Sequence, residues 1–301
     1  MRGVHAQSIV DALEAGVAKQ EGCVMSYVAK PQDGIAWVSG ASTGLGRAVA
    51  LALADGGWTV AVTGRSPVDL ETLVAACADC SGKVVAYPGD VTKGGIVAQI
   101  VKRIEAKQGP IVLAVLAPSE DESAPAGNLS REVLEEVFTA SFVAVTNALL
   151  PLAPVMRQRR RGQIAILSSV AGYGGLPTMR AIGAAKAALI NLAESMQADL
   201  AADGVRLQVV TPGPLGAPDE GAGVLVRSAY LPFDRAAERL IAGLSNPVGF
   251  EIAFPRRVAW LMKALNLVPY PLYFALTRRA GRMDSQVRAP RRVPRVPTAQ
   301  G

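Results

Sequence analysis

The stretch that decides the fold reads Trp37-Val38-Ser39-Gly40-Ala41-Ser42-Thr43-Gly44-Leu45-Gly46-Arg47. It joins a short apolar run to a helical pattern rich in alanine and leucine. Because the glycines close a predicted strand and open a predicted helix, they indicate a turn that can cradle phosphate groups. Gly40 permits a tight turn, and Gly44 and Gly46 lack the Cβ that would keep a pyrophosphate from the unpaired amides of the helix. An ordinary glycine-rich turn without a ligand is the competing interpretation.

The composition limits the classes of protein that this chain can belong to. Its 301 residues are 50% hydrophobic and 19% charged, which predicts a sizeable core and excludes wholesale disorder. The net charge is +6, but much of the arginine lies in clusters at 157–161, at 256–257 and from 278 onward. A chain-wide nucleic-acid footprint would interleave basic residues with aromatic ones, and aromatic residues make up only 5% of the chain, so nucleic acid is not an expected partner.

The cysteines predict neither a disulfide framework nor a metal site. The chain has three, Cys23, Cys77 and Cys80, which favours a reducing compartment and a cytoplasmic protein. The pair Cys77 and Cys80 falls inside a predicted helix, where we expect it to serve packing rather than redox chemistry. Zinc would need two further ligands, and the single histidine, His5, is remote.

Strand and helix patterns alternate from residue 34 onward. The predicted strands are Ile35–Ser39, Thr59–Thr63, Lys83–Tyr87, Ile111–Leu116, Gln163–Leu167, Arg206–Val210 and a weaker Phe250–Phe254. The predicted helices are Leu45–Ala54, Pro67–Asp79, Gly94–Gln108, Ser130–Met156, Met179–Ala202 and Asp234–Ala242. Continuous apolar strands joined by helices predict an α/β fold, a single Rossmann-type doubly wound domain over 34–254 with a mainly parallel seven-stranded sheet.

Three segments flank this predicted domain. Residues 1–33 form an N-terminal extension with one amphipathic helix, and residues 284–301 form a basic tail that we expect to be disordered. Residues 255–283 are an apolar helical segment with basic ends, interrupted by polar and proline residues, so it does not predict a spanning helix. It either covers a substrate cleft, the favoured interpretation, or lies on a membrane surface.

The ends of the predicted strands carry the polar candidates, because ligands of open α/β sheets bind there. The second strand ends in Thr63-Gly64-Arg65, where an arginine suits a ribose 2′-phosphate and an acidic residue would suit a 2′-hydroxyl. An ordinary arginine before a helix is the competing interpretation. The third ends in Gly89-Asp90-Val91, where the carboxylate could accept a hydrogen bond from an adenine amino group.

The order of these motifs resembles the short-chain dehydrogenase/reductase family. The resemblance covers about residues 34–217 and adds Ser168-Ser169-Val170-Ala171-Gly172, Lys186-Ala187-Ala188-Leu189 and Pro212-Gly213 to the glycine turn. It implies a Rossmann-fold oxidoreductase that binds NADP, with NAD less favoured because of Arg65. Its substrate would be a small carbonyl compound or alcohol. The residues that it assigns to the cofactor are Gly40, Ser42, Thr43, Gly44, Leu45, Gly46, Arg65, Asp90, Val91, Lys186, Pro212 and Gly213.

The resemblance also implies a catalytic set that this chain holds only in part. The family uses a tyrosine as proton donor, a lysine four residues later and a serine thirteen residues earlier. Ser169 and Lys186 fill the serine and lysine positions, but Ile182 stands at the tyrosine position. Ser141 falls at the position of the family's asparagine, Val115-Leu116-Ala117-Pro118 replaces Asn-Asn-Ala-Gly, and Ala217 replaces a threonine.

Three functional hypotheses follow from these departures. In the first, the protein binds NADP(H) as a catalytically silent regulatory or assembly partner. In the second, it remains an oxidoreductase with another proton source, such as Tyr173, a substrate group or water. In the third, the fold no longer binds nucleotide and acts as an interaction or membrane-surface module through residues 255–279. Retention of Arg65, Asp90 and Lys186 argues against the third. The family also implies a homo-oligomer formed through the helices at 130–156 and 179–202.

Overall fold

The computed structural model describes residues 27–118, 129–177, 179–217 and 230–287. Within these ranges seven strands form one sheet, in the order β3-β2-β1-β4-β5-β6-β7, and every neighbouring pair is parallel. The strands are β1 (Ile35–Ser39), β2 (Thr59–Thr63), β3 (Lys83–Ala86), β4 (Ile111–Leu116), β5 (Gly162–Leu167), β6 (Val205–Pro212) and β7 (Glu251–Phe254). This confirms the predicted doubly wound fold, with all strands parallel.

Helices cover both faces of the sheet. In the described residues they are α1 (Gly44–Asp55), α2 (Pro67–Ala76), α3 (Gly94–Gln108), α4 (Arg131–Phe138), α5 (Ala144–Gln158), α6 (Arg180–Ala202), α7 (Phe233–Ser245), α8 (Arg256–Leu265) and α9 (Tyr270–Val287). Buried side chains of α1, α2 and α7 share one core cluster with the sheet, and those of α3, α5 and α6 share the other. Two apolar layers explain why the strands read as continuous hydrophobic runs.

The strand order reverses between β1 and β4, which places a crevice at their carboxyl ends. Ser39, the last residue of β1, is paired with Leu116, the last residue of β4. The glycine turn leaves β1 at this point, and the chain leaves β4 through Ala117 and Pro118. The fold therefore brings the glycine turn to the edge where a ligand of a doubly wound sheet would bind.

The long helix predicted over 130–156 contains an irregular turn. The helix α4 ends at Phe138, residues Thr139–Val143 form a π-helical turn, and α5 follows. Ser141, at the family's asparagine position, lies buried in that turn. Hydrophobic periodicity did not reveal this turn, because the apolar pattern continues through it. Such turns are frequent at functional sites.

The helical stretch Arg131–Gln158 is long and apolar enough to span a membrane by length and composition. Its α5 part buries Ala148, Leu152 and Met156 in the core against the sheet. A packed core helix passes the same composition test as a membrane span, and the burial of this one shows that it serves the core.

The expectation for the cysteine pair is wrong. The helix α2 ends at Ala76, before the predicted end at residue 79, and Cys77 has left the helical region of backbone conformation. A turn follows in which the Cys80 amide donates to the Cys77 carbonyl, and the Cα atoms lie 5.0 Å apart. The two side chains form a disulfide within that turn, where the sequence predicted two thiols packed in a helix.

The flanking segments are described in part. Residues 1–26, with the predicted N-terminal helix, lie outside the described residues, but the stretch that follows docks on the domain. The Ala29 amide donates to Oε1 of Gln163 over 3.0 Å, and Asp33 pairs with Arg161. At the other end α9 continues to Val287, beyond the predicted limit at residue 283. Residues 288–301, most of the predicted tail, lie outside the described residues.

Candidate functional site

The glycine turn after β1 has the backbone that only glycine adopts readily. Gly40 and Gly44 have φ values of 68° and 57°, in the left-handed region. A Cβ on Gly40 would lie 2.5 Å from the carbonyl oxygen of Ala117, and a Cβ on Gly46 would lie 2.3 Å from that of Gly40. The sequence assigned Gly46 to ligand approach, but here it allows α1 to pack directly against the turn.

The start of α1 has the properties of an anion site. Among the described residues, no side chain caps the helix, since Thr43 occupies the N-cap position without a capping hydrogen bond. The first turn carries no acidic side chain. The Ser42 hydroxyl oxygen is buried, and it has no hydrogen-bond partner in the described part of the chain. Unpaired amides, a helix dipole and an unsatisfied hydroxyl together favour a bound phosphate.

A cleft of about 170 Å³ lies over this turn. Seven predicted cofactor residues line it, namely Gly40, Ser42, Thr43, Leu45, Gly46, Arg65 and Val91. The sequence did not single out six others, which are Gly64, Ser66, Asp69, Ala117, Pro118 and Leu167. Most of these come from the ends of β2, β4 and β5, so a systematic reading of every strand end would have found them.

Arg65 enters the cleft from the loop between β2 and α2. The Ser66 hydroxyl accepts from the Asp69 amide over 3.2 Å, so Ser66 caps α2 and fixes the loop that carries Arg65. Gly64 makes room for this approach, because a Cβ there would lie 2.1 Å from the Ser42 hydroxyl oxygen. The guanidinium therefore belongs to the same cleft as the unsatisfied hydroxyl.

Asp90, predicted to accept from adenine, is held at the end of β3. Its Oδ1 accepts from the amide and the hydroxyl of Thr92 over 2.9 and 2.8 Å. Burial alone would raise the pKa of Asp90, but these two bonds and the charges of Lys93 and Arg65 lower it below its ordinary value. The carboxylate is therefore ionised, and its contact with adenine stays a prediction.

Ser169 precedes the turn after β5, and this turn packs on the part of α6 that carries Lys186. The Ser169 hydroxyl donates to the Pro212 carbonyl over 3.3 Å and accepts from the Ala171 amide over 3.2 Å. A Cβ on Gly172 would lie 2.8 Å from the carbonyl carbon of Lys186, so glycine permits this approach. Lys186 is buried, and its own carbonyl accepts from Ser168. Pro212 and Gly213 close β6 beside them, and the Gly213 amide donates to Phe254.

Ile182 lies one turn before Lys186 on α6 and is half-buried. It packs against the apolar cluster of Val137, Ala181 and Ala185, which Val133 and Phe138 of α4 also contact. Its side chain carries no proton that it could donate. The position that the resemblance assigns to the acid is therefore part of the hydrophobic contact between α4 and α6.

Tyr173, the candidate substitute donor, is engaged elsewhere. Its hydroxyl lies 2.7 Å from Oγ1 of Thr211 and donates to the carboxylate of Glu251, which also pairs with Lys263. Burial, and then the hydrogen bond to Glu251, raise the pKa of Tyr173 above its ordinary value. A phenol that holds its proton more tightly and donates it to Glu251 is a poor general acid. Sequence spacing could not show this, because Thr211 and Glu251 come from β6 and β7.

Comparison with known proteins identifies the family. The model of the short chain dehydrogenase family matches residues 34–220 of this chain. The chain belongs to this family. An uncharacterized oxidoreductase of Myxococcus xanthus is 29% identical over 81% of this chain and 96% of that protein. A 2,3-dihydro-2,3-dihydroxybenzoate dehydrogenase of Bacillus subtilis is 31% identical over 60% of this chain and 69% of that protein.

Solved structures agree with the fold. A short-chain dehydrogenase from Streptomyces avermitilis matches 83% of this chain and 98% of its own at 23% identity, with a TM-score of 0.66. A metagenomic short-chain oxidoreductase, solved in complex with NADP, matches 73% of this chain and 95% of its own at 22% identity, with a TM-score of 0.61. Short-chain dehydrogenases are oxidoreductases that bind NAD or NADP, so the cleft over the glycine turn is where a dinucleotide of this kind is expected.

A second and larger cleft lies apart from the cleft over the glycine turn. It encloses about 690 Å³ between the loop Gly175–Pro177 and α9, and its lining includes Arg180, Phe274 and Arg278. It shares no lining residue with the cleft over the glycine turn in the described part of the chain. In the same part, no group of three or more His, Cys, Asp or Glu side chains could hold a metal ion.

Proposed function

We propose that this short-chain dehydrogenase binds NADP(H) and acts as an oxidoreductase on a small carbonyl or alcohol substrate, with its usual proton donor replaced by Ile182. One observation supports the cofactor most directly. Arg65 lines the same cleft as the buried, unsatisfied hydroxyl of Ser42 and the uncapped start of α1. A guanidinium suits a ribose 2′-phosphate, which NADP carries and NAD lacks.

The residues of the chain divide the binding work by their chemistry. The amides at the start of α1 and the Ser42 hydroxyl would hold the pyrophosphate, and Arg65 the 2′-phosphate. Lys186 would hold the nicotinamide ribose, and Ser169 would orient the substrate oxygen. NADPH, when bound, supplies a hydride. The proton that must accompany it has no donor at Ile182, so it would come from water or from the substrate.

A catalytically silent NADP(H)-binding partner is the second candidate function. The apolar packing of Ile182 against α4 and the engagement of the Tyr173 hydroxyl by Glu251 favour it. Loss of a positioned general acid removes roughly 10²- to 10⁴-fold in rate. The rate of carbonyl reduction that remains distinguishes the two functions: measurable turnover favours an enzyme, and none favours a regulatory or assembly protein.

Titration of the purified protein with NADPH and with NADH tests the proposal. We expect NADPH to raise the midpoint of thermal unfolding more than NADH does at equal concentration, because a ligand bound to the native state stabilises it. Equal shifts would remove the role given to Arg65, and no shift with either would remove the cofactor. Turnover of a panel of aldehydes and ketones, measured by NADPH absorbance, separates the enzyme from the silent binder.

Members of this family often form oligomers, and we propose a homo-oligomer here as well. The helix α5 exposes Leu150, whose side chain is 67% accessible, at a position where the family implies contact between copies. Sedimentation equilibrium of the protein beside a Leu150→Glu variant tests this. A shift of the variant toward the monomer is expected, and an unchanged mass would place any interface elsewhere.

A further inference from the structure

The positive charge of this protein is concentrated at one end of the chain. Residues 255–301 contain ten Lys and Arg and a single Asp, whereas residues 1–254 contain 21 Lys and Arg and 24 Asp and Glu. Between residues 255 and 278 there are four basic residues and no acidic one. The α/β domain is therefore slightly acidic, and the C-terminal helices are strongly basic.

The C-terminal hairpin, defined here as α8, α9 and the residues that join them, exposes large apolar side chains. Leu267 is 88% accessible, Tyr270 75% and Trp260 72%. Further exposed apolar side chains on the hairpin are Leu261, Leu272, Phe274 and Leu276. Apolar side chains scattered singly over the surface of a soluble protein are normal, whereas seven large ones within one hairpin favour a contact surface.

Buried side chains attach the hairpin to the domain. On α9, over residues 270–278, whose side chains are described, Tyr273 and Thr277 are buried one turn apart, and Ala259 is buried on α8. The Tyr273 hydroxyl donates to the Gly175 carbonyl over 2.9 Å, and Asn266 donates to the Tyr173 carbonyl. Lys263 pairs with Glu251 of β7. These contacts fix the hairpin while its apolar side chains stay outside the core.

We propose that the C-terminal hairpin docks this protein on the surface of an anionic lipid bilayer. Trp260 and Leu261, with the exposed residues of α9, would enter the interface, and Arg256, Arg257 and Arg278 would lie at the lipid phosphates. Basic helices that carry Trp, Phe and Leu bind such surfaces through buried apolar area and through charge, and tryptophan and tyrosine favour the depth of the headgroups.

The charge of the hairpin favours a membrane, rather than a second copy of the chain, as the partner of its exposed apolar surface. A two-fold contact between hairpins would bring Arg256, Arg257 and Arg278 of both copies together, with no acidic residue between 255 and 278 to compensate. A bilayer rich in phosphatidylglycerol offers a negative surface and an apolar interior at once. The hairpin also forms one wall of the cleft of about 690 Å³, which Phe274 and Arg278 of α9 line.

Vesicle binding by the full-length protein tests this proposal. The probes are vesicles of phosphatidylcholine alone and vesicles in which about a third is phosphatidylglycerol. We expect co-sedimentation with the anionic vesicles only, weakened by salt. The fluorescence of Trp260 provides a second readout, because the other two tryptophans, Trp37 and Trp58, are buried. Its fluorescence should shift to shorter wavelength and be quenched by brominated lipid.

Two variants probe the two contributions. Arg256→Glu with Arg257→Glu should lower the partition coefficient for anionic vesicles roughly 30-fold or more, since each basic residue near such a surface contributes about fivefold. Trp260→Ser with Leu261→Ser should lower binding by at least as much and abolish the fluorescence shift. Val248→Ser, at an apolar residue that is 68% accessible in the loop before β7, is the matched control and should bind as the parent does.

The outcomes decide the proposal. Equal binding to both vesicle types, or full binding by both hairpin variants, would overturn it. So would absence of vesicle binding together with a dimer that Trp260→Ser with Leu261→Ser dissociates, because the occupant would then be a second copy. The thermal shift with NADPH should be the same in parent and variants, so a failure here leaves the cofactor proposal standing.

Discussion

The two sides of the β1–β4 crevice differ in how their polar groups are employed. On the glycine-turn side, the Ser42 hydroxyl is buried without a partner in the described residues, and the start of α1 has no side-chain cap. On the α6 side, Ser169 donates to Pro212, Tyr173 donates to Glu251, and Ile182 packs in an apolar cluster. The glycine-turn side therefore has unpaired polar groups that suit a ligand, whereas on the α6 side the hydroxyls of Ser169 and Tyr173 already form hydrogen bonds within the protein.

This difference teaches that dinucleotide binding and proton transfer are separable in one fold. The phosphate side depends on backbone geometry at Gly40 and Gly44 and on a helix terminus, which every member needs to hold a dinucleotide. On the proposed assignment, the proton donor would depend on one side chain, at position 182. Its replacement would leave the cleft over the glycine turn intact, so family membership supports binding more strongly than it supports turnover.

The largest expected effect comes from restoring the acid. Ile182→Tyr should raise the rate of carbonyl reduction by roughly 10²- to 10⁴-fold, because it places a phenol one helical turn before Lys186. Steady-state NADPH oxidation with a panel of aldehydes and ketones measures it. Ile182→Phe is the matched control, since it adds the ring without the hydroxyl, and it should gain nothing.

Tyr173→Phe completes that experiment. If the hydroxyl of Tyr173 is committed to Glu251, its removal should leave the rate of the Ile182→Tyr protein unchanged. If Tyr173→Phe in the parent protein instead abolishes carbonyl reduction, Tyr173 is the proton donor. The α6 side would then keep its proton-transfer function.

The next largest effect is expected at the glycine turn. Gly46→Ala should destabilise the protein by about 1–3 kcal/mol, because its Cβ would meet the Gly40 carbonyl oxygen at 2.3 Å. It should also weaken NADPH binding, since the start of α1 must move. Urea unfolding and NADPH titration measure the two. Gly95→Ala on α3 is the control, because a Cβ there meets nothing within 4 Å.

Arg65→Ala should remove the preference for NADPH over NADH. A hydrogen bond to a charged group contributes about 1.5–3 kcal/mol, so the ratio of the two dissociation constants should fall by about 10- to 100-fold. Isothermal titration with both nucleotides measures it. Arg235→Ala removes an exposed arginine paired with Glu238 and should leave the ratio unchanged. An unchanged ratio in the Arg65→Ala variant would show that Arg65 does not set the preference between NADPH and NADH.

The smallest expected effect is the pH dependence of stability that Glu251 contributes on the α6 side. Burial would raise the pKa of Glu251, but hydrogen bonds from Lys263, Tyr173 and Thr211 lower it below its ordinary value of 4.5. A carboxyl whose pKa is lower in the folded state stabilises the protein above pH 4.5, and this contribution is lost as the pH falls through its folded pKa.

Glu251→Gln should therefore lose stability relative to the parent near neutral pH, with the difference narrowing below pH 4.5. Asp33 and Asp90 also have lowered pKa values, so the parent curve alone does not isolate Glu251. The difference between the urea midpoints of parent and variant, measured across pH, does. A difference that is constant with pH would show that the carboxylate is not coupled to Lys263.

The parts of the fold that sequence predicted are those set by local patterns. Apolar runs placed every strand within a few residues. The π-helical turn at Ser141 was missed because the hydrophobic pattern continues through it. The disulfide of Cys77 and Cys80 was missed because it depends on where α2 ends, and helix ends are weakly encoded.

The site followed the same division. Strand ends gave Arg65 and the glycine turn, because the topology alone brings them to one edge. The contact of Tyr173 with Glu251 joins residues 78 apart in sequence, and no local pattern indicates it. Likewise, an isoleucine at position 182 predicts loss of a proton donor, but only the packing shows that its neighbours on α4 are apolar as well.

The bonds from the C-terminal hairpin to the Tyr173 and Gly175 carbonyls have a consequence for cooperativity. They tie a segment near the end of the chain to the loop that leads into α6. Detachment of the hairpin would expose those carbonyls and release the loop, so the two should open together as one foldon in native-state hydrogen exchange. Binding of the hairpin to a bilayer would then also change the free energy of opening of the loop that leads to Ile182 and Lys186.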